Sequence, residues 1–240
     1  MDEVSMIEGS NLLDALHPSD RAVLDPLLRE CVFGAGNTLY EPGDLVDHCY
    51  FPRGSAIGSF FVLLDGGTVV ETTMIGREGA LGGIVSDGCM PAFARSNVMH
   101  KGSFYRIATA DLNRAKTDSE GIRNLFARYA DCLMAQVFQS IACNASHTIE
   151  QRAAKWLTGA VQRTGEMDVS MTQEQLASMM GIGRSYASRV IQRFKRDSLL
   201  RTRRGGIVVQ DLEGLLDRAC SCNDHVKRHF ELVLGGVYPA

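Results

Sequence analysis

Between Thr172 and Val209 runs TQEQLASMMGIGRSYASRVIQRFKRDSLLRTRRGGIVV, and no other stretch restricts the fold of this chain as tightly. Thr172 and Gln175 are spaced for a capping box, and Leu176, Ala177 and Met180 follow at helical intervals. Gly181 then offers a residue without Cβ where a left-handed turn between two steeply crossed helices needs one. A second helix begins at about Gly183, with Ala187, Val190, Ile191 and Phe194 on its inner face and Arg184, Ser185, Ser188 and Arg189 on its outer face. Leu199 and Leu200 close the core. Arg201, Arg203 and Arg204 lead into Gly205-Gly206 and Ile207-Val208-Val209, a strand, tight turn and strand. Two short helices and a basic hairpin predict a winged helix-turn-helix.

Charge points the same way. Met171 to Gly206 holds eight Lys/Arg against Glu174 and Asp197, in a chain of net charge −3, whereas residues 1–110 hold seven basic and fourteen acidic residues. Positive charge gathered at one end suits phosphate neutralisation, so double-stranded DNA is the expected partner.

These residues resemble the Crp/Fnr family of bacterial transcription regulators. In that family an Arg, the residue after it (often Glu) and a second Arg four residues further on contact bases. Arg184, Ser185 and Arg189 occupy those positions, with Ser185 departing from the common Glu. The expected DNA-contacting set is Arg184, Ser185, Tyr186, Ser188 and Arg189, with Thr172 and the wing residues Arg203 and Arg204. The resemblance also implies a homodimer on a palindromic operator, an effector-sensing roll, and RNA polymerase as a further partner.

The rest of the chain is consistent with that layout. From Cys31 to Ile107 the hydrophobic period falls toward two, and turn signals recur at Gly34-Ala35-Gly36, Glu41-Pro42-Gly43-Asp44, Pro52-Arg53-Gly54, Asp65-Gly66-Gly67 and Gly82-Gly83. Short strands at such spacing predict a small antiparallel roll of jelly-roll type. Asp118 to Cys143 is the longest helical pattern. Its stripe of Ile122, Phe126, Tyr129, Leu133, Val137 and Ile141 is expected to pack against a two-fold mate; the competing reading lays it on the chain's own roll. Thr148 and Gln151 cap a following helix that carries Trp156, and a last helix is expected from Asp211 to about Leu234. The fold class is therefore α+β: a β-roll over 1–117, a dimerisation helix and hinge over 118–146, and a winged helix-turn-helix over 147–240. No apolar run is long enough to span a bilayer, and the acidic opening Met1-Asp2-Glu3-Val4 is unlike a secretory signal, which predicts a cytoplasmic protein. Seven scattered cysteines fit reduced thiols better than a disulfide framework.

What the roll senses is less legible. Cyclic-nucleotide sensors of the family use a Gly-Glu pair for the ribose and Arg-Ser or Arg-Thr for the phosphate. Here Gly82-Gly83-Ile84 stands at the first pair, with no side chain able to accept from a ribose hydroxyl, although Arg95-Ser96 is present. Arg77, Glu78, Arg95 and Ser96 are the polar candidates for an unknown effector. Only Cys31 and Cys49 precede residue 89, too few for the family's iron–sulfur mode, and His48 and His100 are the histidines available to a haem. No cofactor is evident. Cys220, Cys222, His225 and His229 lie within ten residues, but Cys-x-Cys on a continuous helix aims its thiols about 200° apart, so no metal site is assigned. The rival class is a cupin-like metal-dependent enzyme with an accessory nucleic-acid-binding domain. It would need two or three histidines converging with a carboxylate in the roll, and His48 and His100 are the only ones there.

Overall fold

Turn glycines and β-branched or aromatic runs give the N-terminal part its strands, and a computed structural model describing residues 9–239 shows how they pair. The acidic opening Met1 to Val4 lies outside the described residues. Two short helices, α1 (Asn11–Asp14) and α2 (Pro18–Leu24), precede seven strands: β1 (Arg29–Phe33), β2 (Thr38–Tyr40), β3 (His48–Pro52), β4 (Ile57–Leu63), β5 (Val69–Ile75), β6 (Arg95–His100) and β7 (Gly102–Ala108). They form two antiparallel sheets, ordered β1-β7-β3 and β2-β6-β4-β5. Tyr40, Tyr50, Leu81, Val98 and Phe104 pack together as one of its cores.

The chain then becomes helical, through α3 (Thr109–Asp118), α4 (Glu120–Ser146) and α5 (Ile149–Thr164). Ser119 caps α4 by accepting from Ile122 N–H, and Thr148 with Gln151 makes the capping box expected for α5. The stripe on α4 divides between two environments. Ile122, Phe126 and Tyr129 are fully buried against the chain's own roll and helices, with Leu133 partly buried beside them, so these positions are not available to a second subunit. The competing reading holds for this half of the helix, because the roll's apolar underside needs the same cover. Further along, Met134, Phe138 and Ile141 face outward, the last two 62% exposed, and Val137 is half-buried. Gly79 lets the β5–β6 connection touch α4: a Cβ there would lie 2.3 Å from Tyr129 Oη, which bonds the backbone N–H and C=O of Ala80.

The C-terminal part follows as β8 (Asp168–Val169), α6 (Gln173–Met179), α7 (Arg184–Arg196), β9 (Leu200–Arg203), β10 (Gly206–Val209), α8 (Leu212–Arg218) and α9 (Cys222–Val233). The expected final helix is thus two helices, interrupted at Ala219–Ser221. After the break α9 runs back along α4, and Val226, Phe230, Val237 and Tyr238 join the roll's core rather than that of the winged helix-turn-helix, the reading head. Asn11 Nδ2 donates to Val237 C=O at 2.9 Å, which joins the two ends of the described chain.

Candidate nucleic-acid interface and its coupling to the roll

Local chemistry places the reading head. The capping box of Thr172 with Gln175 starts α6, Gly181 turns the chain at φ +64°, and α7 buries Ala187, Val190, Ile191 and Phe194. The wing is the antiparallel pair β9–β10, with β8 on the far side of β10, a strand too short to be read from the sequence. Gly205, at φ +73°, closes the wing turn.

On the outer face Arg184, Ser185, Tyr186 and Arg189 are exposed and Ser188 is half-buried. Gly183 provides no side-chain cap, so the first N–H groups of α7 remain open toward solvent. Arg189 lies over the Tyr186 ring at 5.0 Å, a contact that steadies the guanidinium without neutralising it. Arg184, Arg189, Lys195, Arg196, Arg201 and Arg204 have no acidic partner among the described residues, and this is the free cationic surface. Two other arginines are engaged within the head. Arg203 Nε bonds both carboxylate oxygens of Asp168 at 2.9 and 2.8 Å, tying the wing to β8. Arg193 pairs with Glu150, which also holds Arg218, joining α7, α5 and α8.

The sequence did not indicate how the head meets the roll. Ile57, Phe61 and Met74 of the roll pack in one cluster with Leu157 of α5 and Leu176, Met179 and Phe194 of the head. Polar contacts frame that seam. Arg163, 4% exposed, pairs with Glu78, 1% exposed, at 2.7 Å, and bonds Tyr238 Oη at 2.9 Å. Burial alone would lower the Arg163 pKa, but the charge of Glu78 and the phenol of Tyr238 outweigh it, and the guanidinium stays charged. Arg77 donates to Arg163 C=O, Gln136 to Met74 C=O, and Ser178 of α6 to Val69 C=O. Trp156 Nε1 and Ser59 Oγ both donate to Glu71, whose carboxyl is pushed up to about 7 by burial despite those bonds. Pairs separated by 85 positions carry no local signal.

The four effector candidates do not form one site. Arg77 and Glu78 are bound to α5, Arg95 pairs with Glu41 at 2.8 Å, and Ser96 is buried in β6. Nor do the two roll histidines converge: His48 on β3 bonds Asp47, and His100 on β6 bonds Ser55 C=O. A cleft between β5, α4 and α5, lined by Glu71, Thr73, Gln136, Lys155, Trp156 and Arg163, lies at the coupling contacts instead.

A β-roll joined by a long helix to a winged helix-turn-helix with an open cationic face defines a DNA-binding regulator. Residues 151–218 match the Crp-like helix-turn-helix domain. The chain is 26% identical over 203 residues to the transcriptional regulatory protein Btr of Bordetella pertussis, covering 80% of this chain and 82% of that one. Its fold matches FixK2 from Bradyrhizobium japonicum (TM-score 0.67, 13% identity, 80% of this chain and 98% of that one). It also matches a putative Crp/Fnr-family regulator from Eubacterium rectale (TM-score 0.65, 15% identity, 90% and 97%). Residues 151–218 are thus a Crp-like helix-turn-helix domain and the chain has the fold of Crp/Fnr structures, findings that support a DNA-binding transcriptional regulator of Crp/Fnr type over the cupin-like enzyme. No helix among the described residues is long and apolar enough to cross a membrane.

Proposed function

We propose that the chain acts as a homodimer on a palindromic operator, with α7 of each subunit in a major groove and an effector acting through the roll. The observation that carries this reading is the outer face of α7, where Arg184 and Arg189, the latter four residues beyond Ser185, stand exposed with no acidic partner among the described residues. Each would bond a guanine edge, with Ser185, Tyr186 and Ser188 beside them and Arg204, Arg203 and Thr172 toward the backbone. The dimer seam is the outward row Met134, Val137, Phe138 and Ile141, the part of α4 left over once the roll has covered Ile122, Phe126 and Tyr129. Contact with RNA polymerase follows from the family role.

Control follows from the seam between head and roll. A ligand changes operator affinity only if it prefers one arrangement of the heads. A small molecule seated in the cleft by Glu71, Gln136 and Trp156 would touch β5, α4 and α5 at once and so discriminate between arrangements. Selection of duplexes from a random pool, followed by sequencing, tests the reading. Palindromic enrichment is expected, together with a loss on the order of 1–3 kcal/mol of discrimination for each of Arg184→Ala and Arg189→Ala. Enrichment unaffected by the double substitution would overturn it.

A further inference from the structure

Four side chains of metal-ligand type meet where α4 ends. Cys143 lies in the last turn of α4 and His147 is its C-cap, four residues on, so one side of the helix end carries both. The chain leaves through α5 and the head and returns at the break between α8 and α9, where Cys220 precedes the new helix and Cys222 begins it. On a continuous helix these two thiols would diverge by about 200°, and the interruption at Ala219–Ser221 is what lets both face Cys143 and His147. Cys143 Sγ lies 3.6 Å from Cys220 Sγ, and Cys222 Sγ lies 3.5 Å from His147 Nδ1. All four ligand atoms fall within 4.8 Å of one another, and the three thiols are buried as a cluster of their own. Gln139 Nε2 donates to Cys222 Sγ at 3.1 Å, the kind of outer hydrogen bond that orients a ligand. His225 is exposed and His229 half-buried on α9, and neither belongs to the group.

We propose that Cys143, His147, Cys220 and Cys222 form a site for a single zinc ion. Tetrahedral zinc, with bonds of about 2.3 Å to sulfur and about 2.0–2.1 Å to nitrogen, spaces its ligand atoms by roughly 3.5–3.8 Å. Both separations above match that spacing. An iron–sulfur cluster would interpose several iron and sulfide atoms and spread the thiolates beyond this group's extent. Three soft sulfurs and an imidazole, with no carboxylate, exclude magnesium and calcium as residents. Binding replaces thiol protons, which pass to solvent, with zinc–sulfur bonds. The ion would fasten the C-terminal end of α4 to the returning chain and so fix the joint about which the head is held.

The test uses the full chain, expressed without a polyhistidine tag in zinc-supplemented medium and purified under reductant. Elemental analysis should return one zinc per chain. The ion should be lost from Cys220→Ser/Cys222→Ser and kept by Cys89→Ser and by His225→Ala/His229→Ala. Should the double serine variant fail to fold, cobalt added to the metal-stripped wild-type chain gives the second reading. It should produce the visible bands of a tetrahedral cobalt thiolate, bleached by one equivalent of zinc. Absence of both zinc and cobalt binding overturns the proposal. So does iron with stoichiometric sulfide, or a Cys143–Cys220 disulfide in protein alkylated at lysis.

Discussion

Replacing Glu78 by Leu tests the physical seam between roll and head. Glu78 and Arg163 are almost wholly enclosed and 2.7 Å apart, and Glu78 also accepts from Gly76 N–H. Leucine is close in bulk, so the substitution chiefly removes the counter-charge and leaves a guanidinium buried beside Tyr238. Breaking one partner of such a pair costs about 3–5 kcal/mol. For a chain of this size each kcal/mol lowers Tm by about 2–4 °C, so Glu78→Leu should melt roughly 6–20 °C below the parent in calorimetry or circular dichroism. Glu78→Gln keeps an acceptor for Arg163 Nε and should fall between. The decisive variant is Glu78→Leu/Arg163→Met. An apolar pair of similar volume no longer has an unmet charge and should recover most of the loss. A Leu variant within about 2 °C of the parent, or a double variant as damaged as the two singles summed, would refute the claim that this pair is a coupled, dehydrated contact.

Three further outcomes are expected. Phe138→Glu or Ile141→Glu should convert a dimer to a monomer in sedimentation equilibrium at micromolar concentration with little change in Tm, whereas Phe126→Ala should cost about 3–5 kcal/mol of stability in urea. Arg204→Ala should weaken DNA binding equally on all sequences and reduce the slope of log affinity against log salt by about 1, as read in fluorescence anisotropy. Glu71 titrates near 7 in the folded chain against an ordinary 4.5, so between those values the folded state holds a proton that the unfolded state has released. Its contribution to stability therefore falls as pH rises through that window, by at most about 1.4 kcal/mol per pH unit, and urea titrations at pH 5, 6 and 7 should show the slope reduced in Glu71→Gln.

What could be read in advance was local. The caps at Thr148 and Thr172, the turn at Gly181 and the inner row Ala187, Val190, Ile191 and Phe194 depend on neighbours three or four residues away, and all are present. Most of the roll's strands were legible because turns such as Pro42-Gly43 and Asp65-Gly66 punctuate them, but β1 (Arg29–Phe33), with no turn of that kind before it, was not. The α4 stripe shows the limit of periodicity, which identifies an apolar face but not its neighbour. Ile122 to Tyr129 meet the roll, and only the row from Met134 is left for another chain. The cysteines show a second limit. Cys220 and Cys222 were visible as a pair, but their companions stand more than seventy positions earlier, and their common direction depends on a helix break at Ala219–Ser221 that periodicity did not mark.

Because α9 returns to α4 and the tail reaches Asn11, the head is not a pendant at the end of a string. The polypeptide enters it at His147 and quits it near Cys220, and the two crossing points are neighbours. Together with the packed seam of Ile57, Phe61 and Met74 against Leu157, Leu176 and Met179, these crossings hold the head on more than one side. Any movement of α7 relative to the roll must disturb that seam while the two crossing points stay together, and because Val226, Phe230 and Tyr238 pack in the roll's core, the last helix belongs mechanically to both halves of the chain.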